Sequence, residues 1–148
     1  MTHGRWLMPG QISRVPMTSF LLDTTVHIHW TRSVPTVRRW LRDAILSDDE
    51  LITSVVSVSE VYAGARAAEL EPLYWYFHEL EVVPVTHCFG VVAGRLRYHL
   101  AREGRQLHLA DSLIAATAIE TRCTLVTANR KDFAAIRGLT ILDGEPYG

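Results

Sequence analysis

Two features of the sequence predict an α/β protein with a parallel sheet covered on both faces by helices. Brief apolar runs (Ser19–Asp23, Leu51–Thr53, Val82–Val85, Thr124–Thr127) alternate with longer segments of helical period. The segment from Asp111 to Ile119 carries Leu113, Ile114, Ala115, Ala116 and Ala118, which leaves little polar surface and predicts a helix packed on most sides.

In chain order, Met1 to Met17 has no hydrophobic period and is interrupted by Gly4, Pro9, Gly10 and Pro16. It is expected to be an extension over 1–17, with Met17 as an alternative start, ahead of a domain over 18–143 and a tail over 144–148. Ser19–Asp23 is a buried parallel strand ending in a carboxylate. Val34 to Leu46 places Val37, Trp40, Leu41, Ala44 and Ile45 on one helical stripe, opened by Pro35, with its arginines outward. After the strand at Leu51–Thr53, helices are expected over Val55–Arg66 and over the aromatic stretch Glu69–Leu80. Pro84 marks the third strand as an edge or a strand end. A helix over Thr86–Arg102 is stopped by Gly104, and the helix from Asp111 follows. The strand at Thr124–Thr127, a helical turn near Phe133 and a last strand at Leu139–Leu142 complete the chain.

The bounds are those of one intracellular domain. At 148 residues the chain suits a single core. No run approaches the ~20 apolar residues of a membrane span, and the N-terminus lacks a secretory apolar region, so a cytoplasmic location without membrane contact is expected. Cys88 and Cys123 have no paired spacing and read as reduced packing residues. With 15 basic and 16 acidic residues the net charge is −1, which neither demands nor excludes a polyanionic partner. The basic side chains are nearly all Arg, clustered at Arg38-Arg39-Arg42, Arg95-Arg97-Arg102-Arg105 and Arg130-Lys131; solvated helix faces are their ordinary role and phosphate binding the special one.

Candidate chemistry lies in the carboxylates. Asp23 follows the first strand, Glu60 lies on the helix after the second, Asp111 stands at a helix start and Asp132 follows the strand at Thr124. In a parallel sheet these positions gather at one edge. Ionised carboxylates ~5 Å apart repel by about 3 kcal/mol per pair at an effective dielectric of ~20. Protonation, Arg partners or a hard divalent cation must offset that, and all-oxygen ligation with open positions suits Mg²⁺ or Mn²⁺. Such an ion activates water and holds a phosphodiester oxygen, with Thr24, Thr127 and Asn129 orienting ligands from behind. Each acid also has a purely structural role open to it. Asp23 could close an Asx turn before Thr25, Ser57-Val-Ser-Glu60 matches a capping box, Asp111 could cap its helix, and Asp132 could pair with Arg130. His27 and His29 lack partners of zinc-site spacing and read as surface or partly buried structural residues.

Four segments in this order, Phe20-Leu-Leu-Asp-Thr-Thr-Val26, Ile52-Thr-Ser-Val-Val-Ser-Val-Ser-Glu-Val-Tyr-Ala-Gly64, Ala110-Asp-Ser-Leu-Ile-Ala-Ala-Thr-Ala118 and Leu125-Val-Thr-Ala-Asn-Arg-Lys-Asp-Phe133, resemble the PIN-domain ribonucleases, most closely the VapC toxins of bacterial toxin–antitoxin pairs. The resemblance spans Ser19 to Leu142. It implies a three-layer α/β/α sandwich around a central parallel sheet and Mg²⁺, with Mn²⁺ as a substitute, in an acidic pocket. It further implies endonucleolytic cleavage of RNA such as tRNA or rRNA, a homodimer, and neutralisation by a VapB-like antitoxin. Asp23 and Asp111 carry over as metal ligands, Glu60 as the acid completing the site, and Thr24 and Thr127 as nearby hydroxyls. The fourth acid falls at Asp132 or at the position of Asn129. Thr25 replaces the commoner Asn, and His27 stands at a usually aliphatic position. Two other readings compete: a catalytically inactive PIN-like module that binds RNA or a partner, and a phosphotransferase of the haloacid dehalogenase type. The latter wants a second acid two residues after Asp23, where Thr25 stands.

Overall fold

The computed structural model describes residues 18–148; the expected N-terminal extension and the Met17 start lie outside them. The sheet is parallel throughout, built from β1 (Ser19–Leu22), β2 (Glu50–Ser54), β3 (Glu81–Val83) and β4 (Thr124–Val126) in the order β3-β2-β1-β4. The chain moves from β1 outward to β2 and β3, then returns to place β4 on the opposite side of β1. That reversal opens a crevice beyond the C-terminal ends of β1 and β4, where open parallel sheets hold ligands.

Strand alternation divides the core into two layers. Phe20, Leu22, Leu51 and Val126 face a cluster completed by Val26 of α1 (Thr24–Thr31), Val37 and Leu41 of α2 (Pro35–Leu46), Val61 of α3 (Val55–Ala63), and Leu73 and Phe77 of α4 (Leu70–His78). Leu21, Ile52 and Leu125 face the other way, onto Leu100 of α5 (His87–Arg102), Ile114, Ala115 and Ala118 of α6 (Leu109–Thr121) and Phe133 of α7 (Arg130–Phe133). This is the α/β/α sandwich that the sequence predicts. Leu21, Leu22, Leu125 and Val126 are wholly buried, each side chain contributing ~1.5–3 kcal/mol relative to exposure. As expected, α2 opens on Pro35, α6 is buried on most sides, and Gly104 ends α5 in the left-handed region at φ +75°.

Several details differ from the sequence reading. Helix α1 was not foreseen, because His27 and His29 break its apolar pattern; yet His27 is fully buried rather than at or near the surface. Its Nδ1 lies 2.7 Å from the Tyr76 hydroxyl and its Nε2 2.7 Å from Thr53 Oγ1, which in turn donates to Leu22 O at 2.9 Å. Since the single Thr53 proton goes to Leu22, Nε2 carries the ring proton and Tyr76 donates to Nδ1. Burial pushes the imidazole down to about 3, so it stays neutral. The expected strand at Leu139–Leu142 is reduced to one parallel bridge, Leu125 to Ile141. The helix expected to run to Arg66 ends at Ala63, and a 3₁₀ turn over Ala67–Glu69 precedes α4. Arg38 of the first arginine cluster donates to Trp30 O at 2.7 Å and lies over the Trp30 ring, a role within the fold. The segment read as a tail packs on the first core layer through Tyr147.

Candidate active site

Asp23 follows β1 directly and serves as the N-cap of α1. Its Oδ1 accepts from Thr25 N at 2.9 Å and Thr25 Oγ1 at 2.5 Å, so the Asx turn suggested by the sequence is present. Its Oδ2 accepts from Thr127 Oγ1, across the crevice at the end of β4. Thr127 Oγ1 in turn accepts from Asn129 N at 2.9 Å, and Thr25 Oγ1 accepts from Ala128 N at 3.0 Å. The loop after β4 is therefore stitched to the carboxylate on both sides. Asp23 is only 3% exposed, and burial pushes its carboxyl up to about 6 against the pull of the Thr127 and Thr25 hydrogen bonds.

Glu60 reaches the same edge from α3. The capping box does not form: Ser54 caps α3 by accepting from Val56 N at 3.1 Å. Glu60 Oε1 instead accepts from Thr24 Oγ1 at 2.6 Å, and Ser57 Oγ lies 3.2 Å from the same hydroxyl. With its one proton on Glu60, Thr24 is left to accept from Ser57.

Asp111 lies in the first turn of α6, which begins two residues earlier than the sequence suggests; His108 is the N-cap position and makes no side-chain cap bond. The Asp111 carboxyl is raised by burial, then by the charges of Asp132 and Glu60, with His108 opposing. These acids thus share an electrostatic environment. Asp132 is exposed and makes no ion pair with Arg130, which lies 3.3 Å from Asp143 instead. Asn129 opens α7 without a side-chain cap bond.

The convergence is looser than the sequence argument supposed. Among the described residues, no three His, Cys, Asp or Glu groups lie close enough to hold one ion together. The acids differ in setting: Asp23 is buried and held by the Thr25 and Thr127 hydroxyls, while Glu60 is exposed and bonded to Thr24. Such a donor set still fits Mg²⁺, which keeps several waters and takes one or two carboxylates directly. Asp23 and Asp111, both held above the ordinary carboxylate range, are the acids that a cation would relieve.

Thr25 and Tyr147 were missed as site residues. Thr25 was detectable from its place two residues after a strand-end Asp; nothing near Tyr147 in sequence signals its position. The Tyr147 hydroxyl lies 2.7 Å from His29 Nδ1, and it is raised by burial and by the charge of Asp23. A groove of about 370 Å³ opens beside Glu60, with Thr31, Arg32 and Arg66 in its lining.

The PIN-domain family profile matches residues 20–139, the span that carries Asp23, Glu60, Asp111 and Asp132. Ribonuclease VapC19 of Mycobacterium tuberculosis is 32% identical over 113 residues, covering 76% of this chain and 90% of that protein. This chain belongs to the PIN-domain family of VapC ribonucleases. The tRNA(fMet)-specific endonuclease VapC of Shigella flexneri is 26% identical over 133 residues, covering 86% of this chain and 98% of that protein. Among solved structures, DNA-bound VapBC from Salmonella typhimurium superposes with a TM-score of 0.75 at 26% identity, covering 86% of this chain and 98% of that chain. No helix among the described residues of the PIN domain is long and apolar enough to cross a membrane.

Proposed function

We propose that this PIN domain is the toxin of a VapBC-type pair and hydrolyses RNA phosphodiester bonds with Mg²⁺, or Mn²⁺ in its place, held by Asp23 and Asp111. The observation that carries the reading is a pair of carboxylates at the crevice of a parallel sheet whose ionisation is opposed by burial and, at Asp111, by neighbouring acids. When bound, the ion lowers the pKa of a coordinated water and screens phosphodiester charge.

The chain's own residues do the rest. Thr25 and Thr127 hold Asp23 in its charged form and fix its orientation, while Thr24 and Ser57 aim Glu60 along the rim. Asp132 adds negative charge near Asp111, and Asn129 anchors Thr127 through its backbone N–H. Arg32 and Arg66, lining the groove beside Glu60, supply phosphate contacts for flanking nucleotides. A tRNA or rRNA substrate, a homodimer and a VapB-like antitoxin in the cytoplasm complete the proposal; the relative named as a tRNA(fMet) endonuclease and the VapBC assemblies among its structural neighbours support it.

The test is cleavage of end-labelled tRNA and rRNA fragments by the purified protein. Cutting that requires Mg²⁺ or Mn²⁺, stops with EDTA and is lost in Asp23→Asn and Asp111→Asn is expected. RNA retention without cutting in either metal would instead establish an inactive binding module, and undiminished cutting by both variants would remove the site.

A further inference from the structure

We propose that Thr25, through its hydroxyl, is a positioning residue for the loop after β4: by tying Ala128 N to Asp23 it sets the start of α7 and with it the place of Asp132 beside the metal site. This rests on the reading of Asp23 as a metal ligand and of Asp132 as the fourth acid.

Asp23 does not need that hydroxyl to keep its direction. Its Oδ1 also accepts from Thr25 N at 2.9 Å and from Val26 N at 3.4 Å, both fixed by the first turn of α1, and its Oδ2 accepts from Thr127 Oγ1. The loop rests on fewer bonds. Ala128 N donates to Thr25 Oγ1 at 3.0 Å and Asn129 N donates to Thr127 Oγ1 at 2.9 Å. Each hydroxyl has one proton, and the two protons go to different oxygens of Asp23. Two successive N–H groups of an exposed loop are thereby registered, through two hydroxyls, on the two oxygens of one buried carboxylate. Thr127 stands at the root of the loop, directly after β4, whereas Thr25 grips it from α1 across the crevice.

What the loop carries gives this grip its consequence. Asn129 precedes α7, and its carbonyl accepts from Asp132 N at 3.0 Å, so the end of the loop is the first turn of that helix. The other end of α7 is anchored by Phe133, which is 1% exposed within the second core layer. Asp132 lies between these anchors, exposed, with its charge bearing on Asp111. Valine at position 25 keeps the side-chain shape but leaves the loop held at this end by Thr127 alone. Because Ala128 is exposed, water replaces the lost partner at little cost in stability; what goes is direction.

The test compares Thr25→Val, Thr25→Ser, Asp132→Asn, the Thr25→Val/Asp132→Asn pair and Asp23→Asn in the full chain. It reads amide hydrogen exchange at Ala128, Mn²⁺ binding by calorimetry without RNA, the metal-free thermal midpoint, and kcat against KM for RNA cleavage. Thr25→Val is expected to speed exchange at Ala128 about three- to tenfold, the range set by one net hydrogen bond. Its kcat should fall ~10-fold, the smaller end of what outer partners of a metal site command, with KM and midpoint kept and Mn²⁺ affinity within about twofold. Thr25→Ser should restore exchange and kcat. With Asp132→Asn already in place, adding Thr25→Val should cost less than about twofold further, since effects that run through one group do not add. Unchanged exchange and kcat in Thr25→Val overturn the role, as does full additivity in the pair. Loss of Mn²⁺ affinity in Thr25→Val to the extent of Asp23→Asn also overturns it, making the hydroxyl a support of the ligand and not of the loop. Full Mn²⁺ affinity in Asp23→Asn would instead remove the underlying metal reading, and unaltered kcat in Asp132→Asn that of the fourth acid.

Discussion

Thr127 donates its hydroxyl proton to Asp23 across 104 residues of chain, joining the end of β4 to the end of β1 at the point where the strand order reverses. Replacing it by valine keeps the shape of the side chain and removes the donor. Thr127→Val is expected to reduce cleavage by ~10–100-fold, as loss of a ligand's hydrogen-bond partner commonly does. Because that bond favours the charged form of Asp23, the acid limb of the kcat/KM profile should also move to higher pH, which a rate-against-pH series would detect.

Asp23 should limit the stability of the metal-free fold. Its folded value of about 6 lies above the ordinary 3.8, so the folded state holds the proton more tightly than the unfolded chain. Its contribution is fully present below about 3.8 and is lost as pH rises through about 6. At neutral pH in EDTA, Asp23→Asn is expected to unfold at higher temperature than the unaltered protein, by the equivalent of ~1–3 kcal/mol given about 1.4 kcal/mol per pH unit. The advantage should shrink at pH 4 to 5; thermal melts across that range test it.

Glu60→Gln keeps an acceptor for Thr24 while removing a charge. Since Glu60 and Asp132 both raise the Asp111 carboxyl beyond what burial does, Glu60→Gln and Asp132→Asn should each lower the Asp111 pKa. Carbon-detected titration of that carboxyl measures the shift directly. An unmoved titration would mean the acids act independently.

His27 makes the fold acid-sensitive. Its pKa falls from 6.5 unfolded to about 3 in the folded state, so this contribution is complete above about 6.5 and is lost as pH falls toward 3. Each unit in that window removes up to ~1.4 kcal/mol. The double variant His27→Leu/Tyr76→Phe should flatten this slope in urea unfolding at pH 4, 5, 6 and 7, while the unaltered protein weakens steadily.

The fold was legible because its signals are local. Ser19–Leu22 and Thr124–Val126 are apolar runs short enough only for buried strands, and the helices around Val37 and Ile114 carry their own period. Asp23 was legible as well, since a carboxylate closing an apolar strand demands a reason. Helix α1 was not, because the imidazole of His27 counts as polar in any pattern while Tyr76 and Thr53, distant in sequence, make it a core residue. The bonding of Glu60 to Thr24 rather than to its own helix depends on how α1 and α3 pack, as the position of Tyr147 depends on the turn at Gly144. Pairings set by packing leave no trace in spacing.

The enclosed trio of His27, Thr53 and Tyr76 also constrains how this sequence can diverge. Replacing His27 alone deprives both the Tyr76 hydroxyl and Thr53 Oγ1 of their partner, and replacing Tyr76 or Thr53 alone bares one imidazole nitrogen, at roughly 1–3 kcal/mol for each orphan, whereas exchanging all three for apolar residues removes these side-chain groups together. Drift at these positions should therefore be concerted, with descendants keeping the set whole or trading it together, and a lone histidine at position 27 without its phenol and hydroxyl should be rare among them.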